Sequence, residues 1–299
     1  MQLFSHGKLL LTSEYVVLSG ALALAIPTRW GQSLDVEIKE GGNTISWEAY
    51  HQNELWLSLR FSYQDWKIVE ANRPENADFI IKVFKVIQKM NPRLFESGTS
   101  YAFKTNLEFP SNYGLGSSST LMANLAQWAM VDAYQLNEKC LGGSGYDIAV
   151  AKEGQPILYQ LNSNKRNISV VNFNPSFKND LIFIHLNQKQ DSREGIRLFK
   201  SKEKTKENID FFTHLTRQVV ACDDLEQFSK LMTQHEEAIS QLIGLKPIKD
   251  RWFPDCPSFV KSLGAWGGDF VMASKFKGYK EYFQQKGFSI IYDYKDLIN

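Results

Sequence analysis

The sequence has almost no charge to spare. Its 34 lysines and arginines stand against 33 aspartates and glutamates, a net charge of +1 over 299 residues. Such a balance writes no polyanion-binding surface, so nucleic acid is not an expected partner. Cysteine is scarce: Cys140, Cys222 and Cys256 are odd in number, far apart and without a CxxC pair. That argues against a disulfide framework and against structural zinc, and fits a reducing compartment. No apolar run reaches the length that spans a bilayer, so no membrane partner is expected. The opening MQLFSHGKLLLTSEYVV lacks a basic start, a long apolar core and a small-residue cleavage site, and reads as cytoplasmic rather than exported. Internal repeats and low-complexity stretches are missing. So are GxxxxGK[ST] and GxGxxG, which removes the standard P-loop and the dinucleotide fingerprint.

What is present is an ordinary globular composition, 43% hydrophobic and 22% charged, at a length where chains begin to split into two domains. Strands are predicted at residues 9–11, 15–18 and 33–39, with a hairpin over 45–50 and 55–63. Residues 76–90 change period: Phe79, Ile80, Val83, Phe84 and Ile87 recur at helical spacing until Asn91-Pro92. A strand over 101–109 then runs into a glycine-serine turn and a helix whose inward stripe is Met122, Ala126, Ala129 and Ala133. Further on come a short helix at 146–152 and strands at 157–161, 168–173 and 181–186. Helices are expected at 192–200, 204–221 and 225–243, followed by a strand at 270–273, a helix at 278–286 and a strand at 289–294. Strands and helices mix without strict βαβ alternation, so the class is α+β. The polar break at 178–180 sets domains at 1–178 and 179–299.

Four segments carry candidate chemistry. In PSNYGLGSSS, at 110–119, a strand feeds a glycine-rich turn that opens a helix. Glycines let the backbone approach a ligand, and the helix start attracts an anion. A serine N-cap on a core helix accounts for the same residues. In GSGYD, at 143–147, Asp147 stands where a carboxylate can orient a hydroxyl and take its proton, or simply cap the next helix. Gly7-Lys8, followed by Glu14, offers a cation that stabilises charge on a phosphoryl group, although surface lysines are far commoner. KSLGAWGGD, at 261–269, is a second glycine-rich turn, which by itself reads as a tight loop near another backbone. His235, in a polar QHEE stretch, reads as exposed, and the many aromatics, Trp47, Trp56 and Trp66 among them, as core and sheet packing and not a stacking platform for bases.

Taken in order, GKLLLTSEYVVLSG at 7–20, PxxxGLGSS at 110–118, GSGYD at 143–147 and GAWGGD at 264–269 resemble the GHMP kinases over nearly the whole chain. That family carries a first motif near the N-terminus, a PxxxGLGSSA phosphate loop and a glycine-rich third motif. The wording LTSEYVVLSG, SGYDIAVA and the glycine-glycine-aspartate ending look most like phosphomevalonate kinases; the GKLLL opening with its glutamate is shared with mevalonate kinases. The resemblance implies a ribosomal-protein-S5-domain-2-like N-terminal domain joined to a ferredoxin-like C-terminal domain. It implies ATP and Mg²⁺ as cofactors, a small-molecule acceptor, and an oligomeric state left open, a homodimer included. By the same resemblance Gly114, Leu115, Gly116, Ser117, Ser118 and Ser119 hold the nucleotide, and Ser118 or its neighbour reaches Mg²⁺. Asp147 is the base or orienting group, paired with Lys8. Glu14, Lys189, Gly264, Ala265, Gly267 and Gly268 lie around the acceptor.

The sequence departs from the pattern in four places. His6 stands where proline precedes Gly-Lys, Thr120 replaces a small residue after the serines, and Trp266 interrupts the third motif, where a bulky ring would narrow the phosphate end of the pocket. Only about thirty residues separate the serine loop from Asp147, too few for the usual helix with an acidic Mg²⁺ ligand. Glu138 is the nearest substitute and Asp132 another, and a solvated helix-end charge accounts for both. These departures motivate a rival, a non-catalytic GHMP-fold protein that binds a nucleotide or metabolite. A galactokinase-like sugar kinase is disfavoured by the missing glutamate-histidine pair, and a mevalonate diphosphate decarboxylase by its missing N-terminal wording.

Overall fold

The chain opens on two strands, β1 (Gln2–Leu10) and the long β2 (Ala23–Glu40). A hairpin of β3 (Thr44–His51) and β4 (Glu54–Ser62), a short β5 (Ile68–Ala71), helix α1 (Pro74–Met90) and β6 (Thr99–Leu107) follow. Next come helices α2 (Ser117–Ala129), α3 (Ala133–Cys140) and α4 (Tyr146–Glu153), then strands β7 (Ile157–Asn162), β8 (Lys165–Val170) and β9 (Leu181–His185). Helices α5 (Ser192–Ser201), α6 (Lys206–Ala221), α7 (Leu225–Ile243) and α8 (Ile248–Trp252) lead to β10 (Val260–Leu263) and β11 (Phe270–Ser274). Helix α9 (Tyr279–Gln285), strand β12 (Ile291–Asp293) and helix α10 (Tyr294–Leu297) close the chain. The computed structural model describes residues 1–96, 98–162, 165–187, 192–202, 204–264, 266 and 268–299, with side chains for all of them except 192–194. Among the described residues no helix is long and apolar enough to cross a membrane.

Two compact units share these elements, and neither is contiguous in sequence. Residues 1–7, 30–111 and 115–154 form the first; 8–29, 112–114 and 155–299 form the second. Residues 179–299 lie wholly in the second unit, which also takes 155–178.

In the first unit β3 pairs antiparallel with β4 and parallel with β6, and β6 pairs antiparallel with the last part of β2. Successive side chains point to opposite faces. Ile45 and Trp47, Leu59 and Phe61, Tyr101 and Phe103 therefore share one face, buried with the stripe Ile80, Val83, Phe84 and Ile87 of α1 and with Met122, Leu125 and Trp128 of α2. Phe84 meets Phe103 edge to face with centroids 4.9 Å apart, and Phe103 meets Trp128 at 4.7 Å, the arrangement ring quadrupoles favour. Trp47 is core, as the sequence predicts, and Trp56 and Trp66 are partly buried against that core.

The second unit holds a four-stranded antiparallel sheet in the order β10-β11-β9-β12. Read along the chain, β9, the helices α5 to α8, β10, β11, α9 and β12 make a β-α-β-β-α-β unit, the ferredoxin-like arrangement expected of the C-terminal part. Helix α7 covers the predicted residues: the Asp224 carboxylate accepts the Gln227 N–H at 2.7 Å at its start, and Gly244, at φ 74°, ends it. One predicted strand is wrong. Residues 15–18, β-prone through Val16 and Val17, form a 3₁₀ turn (Val16–Ser19), because Ser13 and Tyr15 sit at φ 64° and 62° and break the extended chain.

Candidate active site

In the first unit the glycine-serine loop ends on Gly116, the N-cap of α2, in a left-handed conformation (φ 87°, ψ 38°) with no side chain to cap the helix. The start of α2 thus presents backbone N–H groups and the positive end of the helix dipole. Leu115 is buried, Ser117 half-buried and Ser118 exposed. What fixes this helix start is a buried polar network that the sequence reading missed. Thr120 Oγ1 lies 2.7 Å from Gln32 Oε1 and 2.9 Å from the Ser117 carbonyl oxygen. One turn on, Asn124 donates to the Gln32 carbonyl at 2.8 Å and accepts from Ser5 Oγ at 2.8 Å. Thr120 and Asn124 are four apart and point one way in a helix, so a polar pair inside an apolar stripe was the available signal.

Asp147 lies in the first turn of α4, whose N-cap is Gly145 at φ 85°. It is not the cap. Its Oδ2 accepts from Ser119 Oγ at 2.7 Å and its Oδ1 from the Ile148 N–H at 3.1 Å. The fold therefore brings the serine loop and Asp147 together despite the short connection. That connection is spent on α3, whose N-cap is Asp132, accepting from the Gln135 N–H at 2.8 Å. Glu138 is exposed near the end of α3. Among the described residues no group of three or more His, Cys, Asp or Glu side chains is gathered for a metal. The donors suited to Mg²⁺ here are the exposed hydroxyl of Ser118 and, for a nucleotide-borne ion, phosphate and water oxygens.

In the second unit Lys8 Nζ donates to the Gly114 carbonyl oxygen at 2.9 Å. Gly114 has φ 66°, and a Cβ there would lie 2.0 Å from Asp269 Oδ2, so both backbone and space demand glycine. The preceding Tyr113 is buried against His185 and Phe270, with centroids at 4.2 and 5.3 Å, and its hydroxyl lies 3.1 Å from that of Tyr292. Gly264 is half-buried at φ 73° and Gly268 is buried. Lys189, Ala265 and Gly267, also expected at the acceptor, lie outside the described residues.

Three expectations are corrected in this unit. Trp266 narrows no pocket: it is 3% exposed and packs with Tyr15, Phe199, Phe212 and Ile239. Its backbone N–H donates to Tyr15 Oη at 2.9 Å and its indole N–H to Glu236 Oε2 at 3.3 Å. His235 is not exposed but fully buried. Glu14 does not face an acceptor: it is 1% exposed, and its Oε1 accepts from the buried Lys261 Nζ. The three sit in one cluster with Glu236.

The cluster holds two carboxyls for one lysine. His235 Nε2 accepts the Ser13 N–H at 2.7 Å and so carries no proton there. Burial, helped by Lys261, holds this imidazole well below its ordinary value. Glu14 Oε2 lies 3.3 Å from the same Nε2, whose one lone pair the Ser13 N–H already takes, and this buried oxygen has no hydrogen-bond partner among the described residues to stabilise a charge on it. Burial, opposed by Lys261, accordingly pushes Glu14 from 4.5 up to about 7. Between those values the unfolded chain has released the Glu14 proton and the folded chain holds it, so Glu14 makes stability fall as pH rises through the window. His235 acts in the opposite sense below 6.5. Glu14→Gln removes only the first contribution. Urea midpoints at pH 5 and pH 7.5 are therefore expected to show wild type losing up to about 3 kcal/mol relative to Glu14→Gln. Parallel pH dependence in the two proteins would rule out a protonated Glu14.

No family model matches the chain, and no curated protein is similar to it. Solved structures are. A mevalonate kinase of Methanococcus jannaschii superposes with a TM-score of 0.69 at 19% identity, covering 98% of this chain and 96% of that one. Phosphomevalonate kinase of Streptococcus pneumoniae, in complex with phosphomevalonate and AMPPNP, gives 0.67 at 17%, over 98% and 99%. Galactokinase of Lactococcus lactis, complexed with galactose, gives 0.65 at 12%, over 96% and 88%. At these identities the shared property is the fold.

Proposed function

We propose that this chain, which has the GHMP kinase fold, is an ATP-dependent kinase that transfers the γ-phosphoryl group to an isoprenoid-pathway acceptor, phosphomevalonate or mevalonate. The observation that carries this reading is the uncapped start of α2 with Asp147 bonded to its first turn through Ser119. Phosphoryl transfer asks mainly for positioning and charge stabilisation. The glycine backbone and helix start supply an anion site, Lys8 a cation, and Asp147 a carboxylate to orient the acceptor. In the transfer an acceptor oxygen bonds to the γ-phosphorus as the bond to ADP breaks. Where the acceptor is a hydroxyl, its proton passes to Asp147. Mg²⁺, which Ser118 would hold at the first turn of α2, supplies neutralisation of triphosphate charge when bound. Glu138 is not carried into the proposal. The first-motif wording, shared with the mevalonate and phosphomevalonate kinases, supports an isoprenoid over a sugar acceptor.

The test is ADP release from Mg-ATP against mevalonate, 5-phosphomevalonate, homoserine and galactose. Turnover with one isoprenoid acceptor, abolished in Lys8→Met, is expected. The want of a gathered acidic metal site among the described residues favours one second reading, a binder without catalysis. AMPPNP binding without turnover of any of the four acceptors would shift the conclusion to it.

A further inference from the structure

We infer that Ser119 is a positioning residue for Asp147 and that its hydroxyl is not a ligand of the nucleotide. The inference rests on the kinase reading for what Asp147 does, but not for where Ser119 points. Laid on Pro110, the pattern PxxxGLGSSA puts its alanine at residue 119 and not at Thr120, so the departure after the serines is the Ser119 hydroxyl, which is no part of the phosphate-binding pattern. Ser119 is 2% exposed, while its neighbour Ser118 is exposed. A serine hydroxyl has one proton, and that proton goes to Asp147 Oδ2 at 2.7 Å. Only lone pairs remain, and these repel phosphate oxygens.

The bond also has something rigid behind it. In the next turn Thr120 and Asn124 fix α2 to Gln32 and Ser5. On the other side the Ile148 N–H occupies Asp147 Oδ1. With a donor on each oxygen the carboxylate is held in one orientation, and hydrogen bonds to an ionised group are the stronger kind. The two helices joined this way, α2 and α4, both start on a glycine that offers no capping side chain. Ser119 thus ties the helix start that would hold the triphosphate to the group that would orient the acceptor.

Ser119→Ala deletes one buried oxygen and leaves a gap of a single atom, so the protein is expected to fold. Calorimetric titration with Mg-AMPPNP should give a Kd within about twofold of wild type, and the KM for ATP should not move. The kcat should fall about 10–100-fold, the effect of misplacing a reacting group by an ångström. Ser119→Thr, which keeps the hydroxyl, should restore most of it, and in an Asp147→Ala background Ser119→Ala should cost nothing more. Melting temperatures of the two single variants and the double variant should be non-additive. A tenfold weaker AMPPNP complex in Ser119→Ala, or additive effects in the cycle, would overturn the inference. If wild type turns over no acceptor the kinase reading fails on its own, and AMPPNP affinity with the melting cycle still decides the role of Ser119.

Discussion

Above pH 7, where Glu14 has released its proton, Lys261→Met is expected to destabilise this protein by about 3–5 kcal/mol, the range for removing one partner of a buried ion pair. For a chain of this size that is a melting temperature lower by roughly 6–20 °C. Lys261 is fully buried, and besides Glu14 its Nζ reaches the Ser262 carbonyl oxygen at 2.8 Å. Glu236, 2% exposed, lies beside it, with Oε1 accepting from Ser262 Oγ at 2.9 Å and Oε2 from the Ser262 N–H at 3.1 Å. Methionine fills the volume with an unbranched chain, so the cost comes from charge and not from a cavity. Without the ammonium the two carboxyls face each other uncompensated. Burial already raises both, and Lys261 is what opposes it. Two further results identify the mechanism. The loss should shrink at pH 5, where protonation relieves the cluster, and the double variant Lys261→Met, Glu14→Gln should recover at least half of it. A melting temperature within 2–3 °C of wild type would show that the cluster contributes little. Because Glu14 belongs to the first motif and Lys261 and Trp266 to the third, the measurement also reports how firmly the second unit holds those loops together.

How much of this was legible depended on whether the signal was local. Helix α7 could be read almost to the residue because an Asp224 cap, an apolar period and Gly244 coincide. The same period places His235 inside: Phe228, Leu231, Met232, His235, Ile239 and Ile243 fall on one face. The polar wording of QHEE misled where spacing would not have. Lys261 hid strand β10 for a related reason, since a buried lysine interrupts the apolar run that marks a strand. Its partner Glu14 is 247 residues away, and no local pattern announces such a pair. The serine loop was legible because glycines and serines are required where they stand. That Ser119 turns inward to Asp147 was not, because three consecutive serines look alike until a helix assigns them to different faces.

Asp147→Asn is the sharpest probe of the chemistry, because asparagine keeps the shape of the side chain and one accepting oxygen for the Ser119 hydroxyl. What it removes is the negative charge, the capacity to take a proton and the second accepting oxygen, so that the amide NH₂ faces the Ile148 N–H. With mevalonate, whose acceptor is a neutral hydroxyl, kcat should fall by about 10²–10⁴, the usual weight of a lost general base. That is about 2.7–5.4 kcal/mol at the transition state. With 5-phosphomevalonate the acceptor is a phosphate oxygen that is already ionised, so the same substitution should cost less than about tenfold. The KM for ATP should hold in both cases, since the anion site at the start of α2 is built from backbone that the substitution does not touch. Lys8→Met gives the contrast: the charge on the transferring phosphoryl group does not depend on the acceptor, so its loss should be severe with either. A loss below tenfold with mevalonate as the turned-over substrate would take the base role away from Asp147 and leave it as an orienting group, with the proton going elsewhere. A large loss with 5-phosphomevalonate would mean instead that its charge matters for holding the acceptor, and that outcome would appear in the acceptor KM as well as in kcat.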